Sequence, residues 1–209
     1  MTLLYEALTR WPKPFISTTD LHGLFIDHTP ASRYGIIKRA VSRGDLISIK
    51  RDLYLIKNHQ VSPNTFELAP IIYGPSYISF ESALSYHGWI PEAVRTTTSA
   101  SIKRSTEFET PIGFFSYEHV PPQVFPMGIA QHLSNGITLF IASPIKALAD
   151  YSYVRKREWP TLTDLLQDLR IEPECIDKTD KKLLSELIKK YPNNRVKKAL
   201  TLLKKGLPH

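Results

Sequence analysis

A change of periodicity at Gly44 constrains the fold of this chain more than any other feature of the sequence. Before this glycine, residues 29–43 carry apolar side chains at helical spacing, gathered on one side of the helix. Thr29 followed by Pro30 is typical of a helix start, because the threonine caps the first turn and proline needs no hydrogen-bond partner there. Gly44 itself is typical of a left-handed residue that ends a helix.

A β-hairpin is predicted directly after this helix. The segments 46–50 and 53–57 are rich in residues that favour strands, and only Arg51 and Asp52 separate them. A two-residue connection predicts a tight turn, and aspartate tolerates the positive φ that such turns require. A helix followed at once by a hairpin is typical of a winged helix.

Two shorter helices are predicted before the third. The first covers residues 2–10, and the second begins at Ser17, where Asp20 three residues later completes a weak capping box. Three helices with a short turn before the last fit a helix-turn-helix, in which the third helix enters the major groove of DNA.

The side of the third helix opposite its apolar face is basic and is the predicted DNA-binding surface. We expect the helix to contact bases and the hairpin turn to contact the phosphate backbone or minor groove. The predicted DNA-binding residues are Ser32, Arg33, Tyr34, Lys38 and Arg39 on the helix, and Lys50 and Arg51 at the hairpin. The alternative is a helical domain held by a hairpin whose charges serve only solubility.

The net charge of +7 is unevenly distributed along the chain. Residues 1–60 hold nine Lys and Arg against five Asp and Glu, residues 61–177 hold eight against thirteen, and residues 178–209 hold ten against two. Basic ends suit a polyanion such as DNA, because each phosphate that a protein neutralises releases condensed counterions. For the carboxy-terminal segment, solvated lysine-rich helices are an equally good interpretation.

The rest of the chain predicts a mixed α+β domain over residues 61–160 and a basic helical segment over 161–209, after a winged helix over 1–60. The predicted helices are 64–73, 80–87, one starting at Ser143 and Pro144, 163–170, 181–190 and 195–205; the predicted strands are 96–102, 113–120 and 136–142. The fold class is therefore α+β.

Individual residues of this region carry weaker expectations. Lys146 and Asp150 are i,i+4 partners on a helix, worth a few tenths of a kcal/mol if exposed. Glu107 and Glu109 share one face of a strand, which indicates an exposed surface or a docking site for a basic partner. His87 follows a helix whose dipole favours imidazolium, so a structural role is expected for it.

The sequence carries no motif of a common enzyme class. Gly-rich phosphate loops, HExxH and GxSxG are absent, and the lone Cys175 excludes both an internal disulfide and a cysteine-based metal cluster. We therefore expect no enzymatic activity, no cofactor and no metal. No apolar run approaches the roughly 20 residues that cross a bilayer, so a cytoplasmic protein is expected.

Three segments together resemble the AbiEi antitoxin family of bacterial abortive-infection, or type IV toxin-antitoxin, systems. They are RYGIIKRAVSRGDLISIKRDLYLI, YISFESALSYHGWIPEAV and IASPIKALADYSYV, within a similarity from about residue 15 to 160. The chain departs from the family pattern at Asp52, where the family usually has glycine, and at Ile145, where related chains often carry an acidic residue.

The resemblance implies a transcriptional repressor that binds repeats in its own promoter and counters a nucleotidyltransferase-type toxin. The expected partners are therefore double-stranded DNA and a cognate toxin protein. The alternatives are a protein-interaction module that does not bind DNA, and a nuclease or phosphotransfer enzyme hidden in the central domain.

Overall fold

The computed structural model describes residues 3–61, 64–134, 136–177 and 179–207. The amino-terminal part contains short helices and a three-stranded antiparallel sheet with the strand order β1-β3-β2. Its elements are α1 (Leu3–Thr9), β1 (Phe15–Ser17), α2 (Thr18–Leu24), α3 (Pro30–Arg43), β2 (Leu46–Lys50) and β3 (Leu53–Ile56).

The local signals in the sequence determine where these elements begin and end. Ser17 and Asp20 form the predicted capping box at the start of α2, and the Thr29 hydroxyl accepts a hydrogen bond from the Ser32 backbone N–H at the start of α3. Gly44 ends α3 in the left-handed conformation, with φ of 77°. Asp52 has φ of 63°, as the two-residue hairpin turn requires.

The three-stranded sheet is buried on both faces. One face packs on the helices through a cluster that includes Leu21, Ile37 and Leu46. The other face contributes residues to the core of the following part of the chain: Phe15, Ile49, Leu53 and Leu55. The continuous apolar run in β3 is typical of a strand covered on both sides.

The central part is built on a mixed sheet of six strands with the order β6-β7-β5-β4-β9-β8. Its elements are α4 (Thr65–Ile72), β4 (Ser76–Ile78), α5 (Phe80–Tyr86), β5 (Thr96–Ser101), β6 (Thr106–Thr110), β7 (Gly113–His119), β8 (Ile129–Ser134) and β9 (Ile137–Ala142). Strand β5 is parallel to β7 and β4 is parallel to β9, whereas the other neighbours are antiparallel.

Helices cover both faces of this sheet. Helix α4 lies on one face, where the Tyr117 hydroxyl donates to the Ala69 carbonyl oxygen. On the other face α5 packs on β5, and the Ser82 backbone N–H donates to the Thr98 hydroxyl. The following helices are α6 (Pro144–Arg155), α7 (Leu162–Leu169), α8 (Pro173–Asp177), α9 (Lys181–Lys190) and α10 (Asn194–Gly206).

The α+β class predicted from the sequence is confirmed. In the central part, the ends of the predicted strands lie within a few residues of those of β5, β7 and β9, and the predicted helices correspond to α4, α5 and α6. The elements that the sequence analysis missed are β1, β4, β8 and α8. Within the described ranges, none of the helices combines the length and the apolar character needed to span a bilayer.

Candidate nucleic-acid interface

The exposed face of α3 carries an aromatic side chain and two cations. Tyr34 is 68% exposed, and Lys38 and Arg39 are exposed beside it. A Cβ atom at Gly35 would lie 3.2 Å from Nη1 of Arg39, so the guanidinium lies over the glycine. In the part of the chain that the structure describes, neither Lys38 nor Arg39 forms a salt bridge with an acidic side chain. These two cations therefore remain available to an anionic ligand.

Arg33 has a different position from its neighbours on α3. Its Nε donates to the His28 carbonyl oxygen at 2.8 Å, and its Nη2 donates to the Ile26 carbonyl oxygen at 2.8 Å. These bonds fasten the α2–α3 turn to the first turn of α3. Ser32 lies in the same turn, with its hydroxyl 3.3 Å from Nδ1 of His28. Arg33 and Ser32 thus hold the turn that orients α3.

The hairpin turn is attached to the start of α2. The Thr18 backbone N–H donates to the Asp52 carbonyl oxygen at 3.0 Å, and the Thr18 hydroxyl donates to Oδ1 of Asp52 at 3.1 Å. The Arg51 side chain is 95% exposed and lies 3.6 Å from the Asp52 carboxylate. The backbone under Arg51 is therefore fixed, while its guanidinium remains in solvent.

Lys50 does not join Arg51 on the exposed turn. Its ammonium donates to the Ile72 carbonyl oxygen at the end of α4, and Lys103 donates to the carbonyl of Gly74 close by. Burial, followed by the charge of Lys103, lowers the pKa of Lys50. The predicted placement of Lys50 beside Arg51 at the DNA backbone is corrected, because the hairpin packs on the central part of the chain and this lysine faces that contact.

His87 has the expected structural position, whereas burial acts on its charge in the direction opposite to the helix dipole. Its Nε2 lies 2.9 Å from the Ala142 carbonyl oxygen, as expected for a structural histidine after α5. However, burial lowers the pKa of His87, with the backbone hydrogen bond acting in the opposite direction and the nearby His132 adding to the effect of burial. Removal from water disfavours the imidazolium and so opposes the effect of the helix dipole on this ring.

The central part holds a charged cluster around Lys146 and Asp150, and its burial was not predicted from the sequence. Lys146 and Asp150 have no solvent exposure, and Lys146 Nζ lies 2.5 Å from Oδ1 of Asp150. Burial lowers the pKa of Lys146, and the Asp150 charge opposes that shift. Burial also raises the pKa of Tyr77 and of Tyr191, whose hydroxyls donate to the same carboxylate. A substrate has no access to this cluster, so its contribution is to the fold.

Glu107 and Glu109 are exposed on β6, an edge strand of the large sheet. The register places them opposite Ser116 and Phe114 of β7, on one face of the sheet. Their predicted exposure on a strand is confirmed. No group of three His, Cys, Asp or Glu side chains within the described residues is arranged to hold a metal ion.

Comparison with known proteins gives a structural neighbour and no family. No family model matches the sequence, and no curated protein matches it. Among solved structures, the RV2827C protein from Mycobacterium tuberculosis is similar, with a TM-score of 0.65 and 13% sequence identity. The similarity covers 97% of this chain and 75% of the neighbour. At this identity the similarity shows a shared fold.

Proposed function

We propose that this chain is a winged-helix transcriptional regulator of the AbiEi type that binds double-stranded DNA. The observation that carries the proposal is the free cationic face of α3, with Lys38 and Arg39, in a domain whose hairpin turn exposes Arg51. The element order and the β1-β3-β2 sheet support it, because a winged helix pairs a helix-turn-helix with such a hairpin.

Each residue of the interface has a separate role in this proposal. Arg39 and Tyr34 meet base edges in the major groove, where an arginine recognises guanine through two hydrogen bonds. Lys38 and Arg51 contact phosphates and fix the register of the protein on the duplex. Arg33 is a positioning residue, because both of its hydrogen bonds go to backbone carbonyls of the α2–α3 turn. Lys50 has no part in the interface.

The regulatory role follows from the same proposal. The chain would occupy repeats in its own promoter and repress its operon, as the resemblance of the sequence implies. Its antitoxin activity against a nucleotidyltransferase-type toxin would belong to the part after residue 61. If the chain were instead a protein-interaction module with the same fold, it would not bind DNA, and substitution of the α3 cations would have no effect on DNA binding.

The test is a titration of the full chain with the duplex upstream of its gene, followed by fluorescence anisotropy at several salt concentrations. A duplex selected from a random library serves as a second substrate. We expect log affinity to fall linearly with log salt, with a slope of about 0.9 for each phosphate contact. Absence of salt-dependent binding to both duplexes would remove the proposal.

A variant pair separates base recognition from general attraction. Arg39→Gln should reduce the preference for the specific duplex over a random one by about 1–3 kcal/mol. Lys189→Gln removes a charge of the same sign from α9, where the side chain is exposed and far along the chain from α3. We expect this control to keep the preference. Equal effects of the two substitutions would contradict the assignment of Arg39.

A further inference from the structure

A groove between α10 and the segment 158–160 has no role in the proposed DNA interface. We call it the α10 groove, and its volume is about 730 Å³. Its accessible apolar lining residues are Pro160 and the half-buried Leu202, and the buried Trp159 also borders it. Its cationic lining residues are Arg195, Lys197, Lys198 and Lys205. Four cations against one acidic lining residue, Glu158, give the groove a positive potential.

Helix α10 has one face buried in the core and another that lines the groove. Val196, Leu200 and Leu203 have no solvent exposure and face the core. Lys198 and Lys205 are exposed, lie seven positions apart in the helix and line the groove with the half-buried Leu202. This second face therefore combines charge with apolar surface along the whole helix.

Arg195 forms an ion pair with Glu158 in the groove, but its Nε atom makes no hydrogen bond to that carboxylate. Its Nε atom is buried without a hydrogen-bond acceptor among the described residues. The Glu158 carboxylate lies 3.7 Å from this atom, beyond hydrogen-bonding distance, and the Glu158 side chain is 71% exposed. A buried donor without an acceptor is costly, and a guanidinium pairs best with a carboxylate that accepts two bonds. The excess of cations in the lining suits the groove to an acidic ligand.

The volume of the groove and the length of α10 match those of a helix as the ligand. The thirteen residues of α10 span about 20 Å at 1.5 Å per residue. Half of a helix of about 10 Å diameter and 20 Å length occupies about 800 Å³, close to the volume of the groove. Amphipathic helices bind to other proteins in grooves of this kind, with their apolar side chains on the floor.

Nucleic acid fits the α10 groove less well. Single strands bind by stacking bases on aromatic faces, but the Trp159 ring is buried and its Nε1 donates to Asp168 at 2.9 Å. A duplex offers little apolar surface for the apolar residues of the groove. We infer that the α10 groove binds an acidic, amphipathic helix of a protein partner. This inference does not rest on the proposed DNA binding.

The experiment uses a fluorescent acidic peptide of about four helical turns, with leucines at i, i+3, i+4 and i+7 and glutamates elsewhere. A scrambled peptide of the same composition is the control for charge alone. Both are titrated with the full chain. We expect saturable binding of the amphipathic peptide and binding at least about tenfold weaker for the scrambled one, a difference of 1.4 kcal/mol.

Paired variants locate the binding. Lys198→Glu with Lys205→Glu reverses two charges of the groove, and Lys182→Glu with Lys189→Glu reverses two exposed charges of α9 outside it. The first pair should weaken binding of the amphipathic peptide about tenfold or more, and the second pair should leave it within about twofold. Leu202→Ser, which changes no charge, should also weaken it.

Two outcomes would overturn the inference. One is equal binding of the scrambled peptide, or equal losses in the groove and control variants, since either would show general charge attraction. The other is displacement of the peptide by an oligothymidine single strand whose own binding is lost in the groove variant. That result would assign the groove to nucleic acid. Circular dichroism of each variant verifies that α10 is still folded.

Discussion

Lys146 and Asp150 form an ion pair, one helical turn apart on α6, in which neither side chain reaches solvent. The Asp150 carboxylate also accepts hydrogen bonds from Tyr77 and Ser79 on one oxygen and from Tyr191 on the other. Tyr77 lies in β4 and Ser79 directly follows that strand, whereas Tyr191 directly follows α9. A single carboxylate therefore joins the large sheet, α6 and the carboxy-terminal helices.

Removal of Lys146 alone should destabilise the protein strongly. Lys146→Met keeps most of the side-chain volume but leaves the Asp150 charge buried without its cation. Loss of one partner of a buried pair costs about 3–5 kcal/mol. Urea unfolding at neutral pH measures this cost.

The double variant Lys146→Met with Asp150→Asn is the control for that prediction. It removes both charges, and the single asparagine oxygen can still accept from one of the two tyrosines, so part of the lost stability should return. Strict additivity of the two single losses would contradict a direct coupling between the side chains.

The burial of this pair shows what the sequence could not predict. Its i,i+4 spacing and its helix were predicted correctly, but the few tenths of a kcal/mol expected for it assumed an exposed face. Residues 145–150 of α6 are buried all around the helix, so no apolar stripe marks a solvent side. Tyr77 and Tyr191 lie 73 and 41 positions from Asp150, and helical periodicity carries no information about such contacts.

The amino-terminal elements were more predictable, because caps and turns act between neighbouring residues. The capping residues Ser17 and Thr29, the end of α3 at Gly44 and the turn at Asp52 were all predicted. Strand β1 was missed, because three residues are too few to show a period. The sequence did not predict which side of the hairpin faces the central part, because packing between distant segments decides that orientation. Lys50 was therefore placed wrongly on the exposed turn.

Lys50 and Arg51 should affect DNA binding differently, although they are adjacent. Lys50→Met removes the ammonium that donates to the Ile72 carbonyl, so it should cost about 0.5–1.5 kcal/mol of stability and leave the salt dependence of DNA binding unchanged. Arg51→Met removes an exposed cation and should reduce the salt slope by about one. Anisotropy titrations at several salt concentrations measure both. A reduced slope for Lys50→Met would place its ammonium on the DNA.

Glycine and alanine at position 52 of the hairpin turn should give proteins of different stability. Asp52→Gly and Asp52→Ala both lose the hydrogen bond from the Thr18 hydroxyl, so their difference isolates the backbone conformation. Because φ is 63° at this residue, the alanine variant should be less stable than the glycine variant by about 1–2 kcal/mol. Urea unfolding of the two proteins provides the comparison. Equal stabilities would mean that the turn changes conformation in one of them.

His87 should make the stability of the protein depend on pH in mildly acidic solution. Burial holds the pKa of His87 below its ordinary value of 6.5 in the folded state. Above about pH 6.5 the ring is neutral in both the folded and the unfolded chain, and its contribution to stability is complete. As the pH falls, the unfolded chain binds a proton first, so stability is lost until the pH passes the folded pKa.

The variant His87→Gln tests whether His87 causes a loss of stability as the pH falls. Its amide can still donate to the Ala142 carbonyl oxygen, but it does not titrate. We expect the drop in the urea midpoint between pH 7 and pH 5 to be smaller in the variant, because the variant lacks the proton uptake of His87 in the unfolded chain. Carboxylates elsewhere titrate equally in both proteins and do not contribute to the difference. A drop of the same size in both proteins would show that His87 binds its proton equally well in the folded and unfolded states.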